Sequence, residues 1–233
     1  MYLNLLMNCI LDTIHCPKDK LARVLEGRGM SPRGHSMIGW KRLENVKDLI
    51  HQILIDEIEG DVIEAGICRG GTVALMRAAL DFFSGYDNKK TVWAADSFQG
   101  LPEPDLKRFP VDKGFETQVG AMAATKETVL DNLSRYPIDL DGIKFLEGWF
   151  KDTLPSAPIE KLALIRADGD LYESTIDILV NLYPKLSPGG FIIIDDYGCY
   201  KACRQAVQDY RKQHKIEDEI IKVDWTGVYW RKS

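Results

Sequence analysis

Two rhythms of apolar and polar positions run along this chain. From residue 1 to about residue 60 the spacing is helical, and Trp40, Leu43, Val46, Ile50 and either Ile53 or Leu54 fall on one stripe. Beyond residue 60, short apolar runs alternate with amphipathic ones. DVIEAG (61–66), TVWAADSF (91–98), IKFLEGWF (143–150), LALIRAD (162–168) and FIIIDD (191–196) read as five successive strands. TVALMRAALDFF (72–83), KETVLDNLSRY (126–136) and STIDILVNLYPKL (174–186) read as the helices between them. This alternation predicts an α/β fold with a mostly parallel sheet covered by helices on both faces.

The flanks complete the picture. MYLNLLMNCILDTIHC at the start is too short an apolar run to span a bilayer and lacks a basic leader, so it is expected to be a docking helix or strand. GRGMSPRGHSMIG (27–39) has the glycine, serine and proline content of a loop long enough to act as a lid. LSPGG (186–190) reads as a helix end and a turn feeding the strand FIII. After a helix CRQAVQDYRKQH, the pieces EIIKVD and GVYWRK are expected to close the sheet as an antiparallel hairpin. The chain thus divides into an N-terminal helical extension with a lid (1–60) and one sheet domain (61–233).

Composition narrows the function. With 233 residues, 45% hydrophobic and 28% charged, the chain can bury a full sheet and a ligand cleft. A formal net charge of -5 opposes general nucleic-acid binding and favours a small-molecule partner. Five cysteines without a CxxC pair suit reduced thiols in the cytoplasm. The exposed apolar residues expected in the first fourteen positions point to a homo-oligomer, a dimer or larger, and no segment calls for a membrane.

The candidate chemistry sits at strand ends. The first strand runs into Glu64-Ala65-Gly66-Ile67-Cys68-Arg69-Gly70-Gly71, a glycine turn where the backbone can approach a nucleotide closely. Such turns also serve as tight connections. Cys68 stands where a dinucleotide GxGxxG has its middle glycine, and Glu64 would repel a pyrophosphate, so a cationic donor such as S-adenosylmethionine fits better than NAD. Asp96 and Ser97 end the second strand, where a ribose diol would lie. Gly148 and Trp149 follow the third and offer an aromatic edge to an adenine, or simple packing.

Asp168 and Asp170 follow the fourth strand, and Asp195 and Asp196 the fifth, which should be its neighbour about 4.8 Å away. Four carboxylates in one partly desolvated cleft repel one another unless some are protonated or a cation neutralises them. All-oxygen ligation favours Mg²⁺ over zinc and leaves Mn²⁺ and Ca²⁺ as alternatives. The alternative is that Asp170 and Asp196 cap the helices that follow them. A metal beside a methyl donor lowers a substrate hydroxyl's pKa and aligns its oxygen, while a spare carboxylate takes the proton.

The segments HSMIGWKRLENV, EAGICRGGT, DSFQGLPEP, GWFKDTLP, LIRADGDLYEST and LYPKLSPGGFIIIDDYG, in that order, resemble the macrocin O-methyltransferase family, which methylates sugar hydroxyls of glycosylated natural products. The resemblance implies a class I methyltransferase fold, S-adenosylmethionine as donor, Mg²⁺ as metal and a glycoside as acceptor. By this match the metal ligands fall on Asp168, Asp195 and Asp196, and the general base on Asp170. The donor contacts fall on Glu64, Gly66, Asp96, Ser97, Gly148, Trp149 and Asp168, with Ile38 of the Met37-Ile38-Gly39 segment closing over the donor or acceptor. His35-Ser36 departs from the threonine-containing pair of that family, and His35 could serve as a second base or stand as a solvated loop residue. Catechol-type enzymes of the same fold resemble an Asp-Asn pair where this chain has Asp195-Asp196, an NAD oxidoreductase would need a better phosphate loop, and a non-catalytic module would have no use for the intact cluster.

Overall fold

The structure, a computed structural model, describes residues 1–85, 87 and 89–233. Helices α1 (Tyr2–Leu11), α2 (Lys18–Leu25) and α3 (Gly39–Ile55) precede β1 (Asp61–Ala65), α4 (Gly71–Ser84), β2 (Val92–Asp96), α5 (Lys126–Ser134) and β3 (Ile143–Glu147). Then come α6 (Phe150–Thr153), β4 (Leu162–Ala167), α7 (Tyr172–Leu182), β5 (Leu186–Ile194), α8 (Lys201–His214), β6 (Ile221–Lys222) and β7 (Val228–Arg231). The sheet order is β3-β2-β1-β4-β5-β7-β6, with β7 antiparallel to both β5 and β6. The expected five parallel strands and closing hairpin are all present.

Alternation within strands builds a core on each face of the sheet. Val62, Val92, Ala94, Leu164 and Ile193 face a layer containing α1, α3 and α4. Their neighbours Ile63, Trp93, Ala95, Ile165 and Ile192 face α7 and α8. β4 is buried at every position, as a central parallel strand should be, whereas the edge strand β3 is only partly covered. In α3, Leu43, Val46, Ile50 and Ile53 point inward as their spacing predicts, and Trp40 and Leu54 lie at the margins of the stripe. The opening segment is a helix: Leu3, Leu6, Met7, Ile10 and Leu11 of α1 join the same core, leaving Met1, Leu5 and Ile14 outside. No helix among the described residues is long and apolar enough to cross a membrane.

LSPGG differs from expectation. The helix ends earlier, at Leu182, and a 3-10 turn over Tyr183–Lys185 follows. Leu186 already pairs with Leu162, and the next pair is Phe191 with Leu164, so the residues between are extra length bulging from β5. Proline has no amide to give a ladder and Gly189 takes φ 81°, both of which a bulge accommodates.

The register levels the strand ends. Ala65 pairs with Ala95 and Ala167, and Ala167 with Ile194. The ladder continues one step further, with the amides of Gly66, Asp168 and Asp195 donating to Ala95, Ala65 and Ala167. Asp168 and Asp195 therefore leave the sheet side by side.

Candidate active site

Above this edge lies a cleft of about 640 Å³, and Ile38, Glu64, Gly66, Asp96, Ser97, Gly148, Trp149, Asp168, Asp170, Asp195 and Asp196 all line it. The expected donor, metal and base residues thus all reach one cavity.

The glycine turn works differently from a phosphate cradle. A Cβ on Gly66, at φ 93°, would sit 2.0 Å from the Asp168 carbonyl, and one on Gly71 would meet the His35 carbonyl at 2.6 Å. Both glycines allow close approach of protein backbone, so the tight-connection reading accounts for them. Cys68 takes φ 48° where the dinucleotide pattern has glycine. The amides of Gly66, Ile67, Cys68, Gly70 and Gly71 all donate to protein acceptors, which leaves them none for a pyrophosphate. Asp96 is the organiser: Oδ2 accepts from Ile67 at 2.9 Å and Cys68 at 3.3 Å, and Oδ1 from Phe98 at 2.8 Å. Its carboxylate therefore faces the cleft with part of its accepting capacity engaged, while burial pushes its pKa up against the pull of those amides. Ser97 is occupied by a local turn, accepting from the Gln99 amide at 3.1 Å.

Asp168, Asp195 and Asp196 each offer an oxygen, and these atoms lie within 4.8 Å of one another. Neither Asp170 nor Asp196 caps a helix. The first amides of α7, Tyr172 and Glu173, donate instead to Asp112 from the loop after β2, and α8 begins only at Lys201. Asp170 holds φ 55°, an uncommon conformation that aspartate tolerates better than most residues, and its carboxylate makes no hydrogen bond to another described side chain.

Two buried arginines, unread in the sequence, share the neutralisation. Arg166 Nη1 donates to Glu64 Oε1 at 2.6 Å and to Asp168 Oδ2 at 2.9 Å, and Nη2 donates to Asp195 Oδ1. Arg42 of α3 donates to the other Asp195 oxygen and, at 3.1 Å, to Asp224 of the β6–β7 turn. The arginines thus join protonation and a bound cation as a third means of easing the repulsion. Both arginines had a legible signal: each puts a charge inside an otherwise apolar buried pattern, which requires a partner.

The carboxylates still outnumber the guanidiniums. Burial, then Asp168 and Asp195, hold Asp170 well above the carboxylate range, and burial with Asp170 and Asp168 does the same for Asp196. Asp168 is raised by burial and by Asp195, against Arg166. Glu64 is pushed up to about 8 by burial, in spite of Arg166. Glu64 Oε2 and Asp196 Oδ2 are buried without a hydrogen-bond partner among the described residues, an expensive arrangement that a ligand would relieve. Cys199 Sγ lies 3.4 Å from Asp196 Oδ1, but burial raises its pKa, so it is a neutral neighbour and not a thiolate ligand.

His35 does not line the cleft. Its Nδ1 lies 2.6 Å from the Tyr136 hydroxyl, and its backbone bridges α1 and α4 by accepting from Gly71 and donating to Ile10. It anchors the 27–39 loop, as does Arg69, which donates to the carbonyls of Pro32 and Gly34.

A sheet of this order with one antiparallel strand, carrying an acidic cleft at the carboxyl ends of β1, β2, β4 and β5, defines a class I methyltransferase. The chain belongs to the macrocin O-methyltransferase family: the family model described as Macrocin-O-methyltransferase (TylF) matches residues 8–232. It is an O-methyltransferase. It is 48% identical over 211 residues to the 8-demethyl-8-(2,3-dimethoxy-alpha-L-rhamnosyl)-tetracenomycin-C 4'-O-methyltransferase of Streptomyces olivaceus, covering 90% of this chain and 80% of that enzyme. It is 47% identical over 203 residues to the mycinamicin III 3''-O-methyltransferase of Micromonospora griseorubida, covering 85% and 79%. The solved O-methyltransferase NovP superposes with a TM-score of 0.93 at 40% identity, over 100% of this chain and 98% of that one.

Proposed function

We propose that this enzyme transfers a methyl group from S-adenosylmethionine to a sugar hydroxyl of a glycosylated natural product, with Mg²⁺ held by Asp168, Asp195 and Asp196. The observation that carries the reading is the convergence of these aspartates in a cleft also lined by Glu64, whose Oε2 has no hydrogen-bond partner among the described residues. The names of the relatives, which specify sugar positions on a tetracenomycin and a mycinamicin, support the acceptor class.

Glu64 would receive the cationic amino-acid end of the donor, which favours its ionised form. Asp96 would accept from the ribose with its remaining capacity, Gly148 and Trp149 would border the adenine, and Ile38 would cover the donor. The donor set fits a hard cation: the oxygens are clustered, Asp196 Oδ2 has no partner among the described residues, and burial keeps the neighbouring Cys199 thiol neutral. Bound there, Mg²⁺ would lower the pKa of a sugar hydroxyl and fix its orientation. Asp170, whose carboxylate has no hydrogen bond to another described side chain, would take the hydroxyl proton as the oxygen attacks the methyl carbon.

The test is incubation with labelled donor, Mg²⁺ and a panel of glycosylated natural products, followed by mass and position analysis of the product. Methyl transfer to a sugar that is lost with EDTA and reduced by about a hundredfold or more in Asp170→Asn supports the reading. Full turnover in EDTA overturns the metal role, and unimpaired Asp170→Asn overturns the base assignment.

A further inference from the structure

Arg42 stands in the first turn of α3 and is 5% exposed. Its guanidinium donates to three separate segments: Nη1 to Asp195 Oδ2 at the end of β5, Nε to Asp224 Oδ2 in the hairpin turn at 3.1 Å, and Nη2 to the Gly27 carbonyl at 3.0 Å. Gly27 is the neck of the 27–39 loop. A Cβ on Gly27 would lie 2.3 Å from Arg42 Nη2, and one on Gly39 would lie 2.3 Å from the Gly27 amide nitrogen, so the two ends of the loop touch where the guanidinium grips them. Hairpin and loop are also joined over the cleft: the Trp225 indole donates to the Glu26 carbonyl at 2.9 Å, and Arg28 lies over the Trp225 ring at 4.1 Å.

We propose that Arg42 is a positioning residue that fastens the cover of the cleft, loop 27–39 and hairpin turn 224–227, to the cation-binding carboxylate of Asp195. The proposal rests on the metal reading above. A cation that fixes Asp195 would steady Arg42 and with it the cover, and by linkage an ordered cover would strengthen the grip on the cation. The planar fork is essential, because a lysine keeps the charge and cannot reach three acceptors at once.

The experiment pairs Mg²⁺ calorimetry with amide hydrogen exchange on the full chain, without donor or acceptor. Wild type should bind Mg²⁺, and the ion should slow exchange at residues 27–30 and 224–227. Arg42→Lys should bind Mg²⁺ about tenfold more weakly, exchange faster at both segments and lose the protection by the ion. Asp224→Asn, which leaves the Arg42–Asp195 contact in place, should loosen 224–227 and weaken Mg²⁺ binding less than Arg42→Lys does; it also carries the test if Arg42→Lys fails to fold. Wild-type Mg²⁺ affinity in Arg42→Lys, or weakened affinity with unchanged exchange, overturns the coupling. So does undiminished protection by Mg²⁺ at 224–227 in Asp224→Asn. Failure of wild type to bind Mg²⁺ overturns the metal reading itself, and the proposal with it, before any variant is made.

Discussion

Arg166 and Glu64, on adjacent strands and paired in register, meet at 2.6 Å with both side chains 1% exposed. The same guanidinium bonds Asp168 and Asp195, so a single cation joins the proposed donor carboxylate to the proposed metal carboxylates. Deleting it would strip Glu64 and the part-buried Asp168 of their guanidinium partner and leave Asp195 with Arg42 alone. Arg166→Leu should destabilise the protein by about 3–5 kcal/mol, the range for breaking a buried ion pair from one side. Urea unfolding measures this, and a loss below about 1 kcal/mol would show that the acids simply take up protons. Glu64→Gln retains an acceptor for Arg166. It should therefore keep nearly full stability while weakening adenosylmethionine binding by about tenfold or more.

The raised pKa of Glu64 gives a signature of donor binding. Its carboxyl, pushed up to about 8 by burial, holds a proton at pH 7, and the cationic end of adenosylmethionine would favour the ionised form. Donor binding at pH 7 should release up to one proton, and affinity should rise with pH until about 8 and then level off. The stability of the free protein has the matching sign. The folded state binds more protons than the unfolded one between the ordinary glutamate range and about 8, so this group's contribution to stability falls as pH rises through that window. Calorimetry in buffers of different ionisation enthalpy reads the release, and buffer-independent heats would contradict it.

Asp196 separates binding from folding. Without a cation its buried carboxyl is held well above the ordinary range by burial, Asp170 and Asp168, and an amide would relieve that repulsion. Asp196→Asn should have a metal-free melting temperature equal to or above that of wild type. Wild type should be stabilised by added Mg²⁺, by about 2.7 kcal/mol at a hundredfold excess over Kd, and the variant should lose that gain. An equal shift in both proteins would remove Asp196 from the ligand set.

How far the sequence disclosed this site depends on which contacts are local. Strand ends follow from apolar runs and turns, so Glu64, Asp96, Asp168 and Asp195 can be placed on one edge from the residue pattern alone. The closeness of Asp168 and Asp195 needed only the order of β4 and β5. Arg42 is different: it lies 153 residues before Asp195, and no local pattern says which carboxylate a buried arginine on α3 will meet. The glycines of the turn were legible as glycines but not as to partner, because Gly66 faces the Asp168 carbonyl across the sheet. LSPGG misleads since proline and glycine mark turns and bulges alike, and only the pairing of Leu186 with Leu162 distinguishes them.

His35 offers a check on the cover that is independent of catalysis. Burial first, then Arg135 and Arg69, lowers its pKa below the ordinary histidine value of 6.5, so the folded state resists protonation. Above pH 6.5 the unfolded chain is also neutral at this residue, and its stabilising contribution is complete. As pH falls below 6.5 the unfolded chain takes up a proton before the folded one does, and stability is lost. The loop anchored by the contact between His35 and Tyr136 should loosen in the same window. His35→Gln, which can still bond the Tyr136 hydroxyl but does not titrate, should flatten the pH dependence of the melting temperature between pH 6.5 and about 5 relative to wild type. Because His35 lies outside the cleft, the variant should also retain most methyl transfer at about pH 8, where the imidazole is neutral in either state. Loss of turnover at that pH with the loop still ordered would instead assign the imidazole a part in the chemistry.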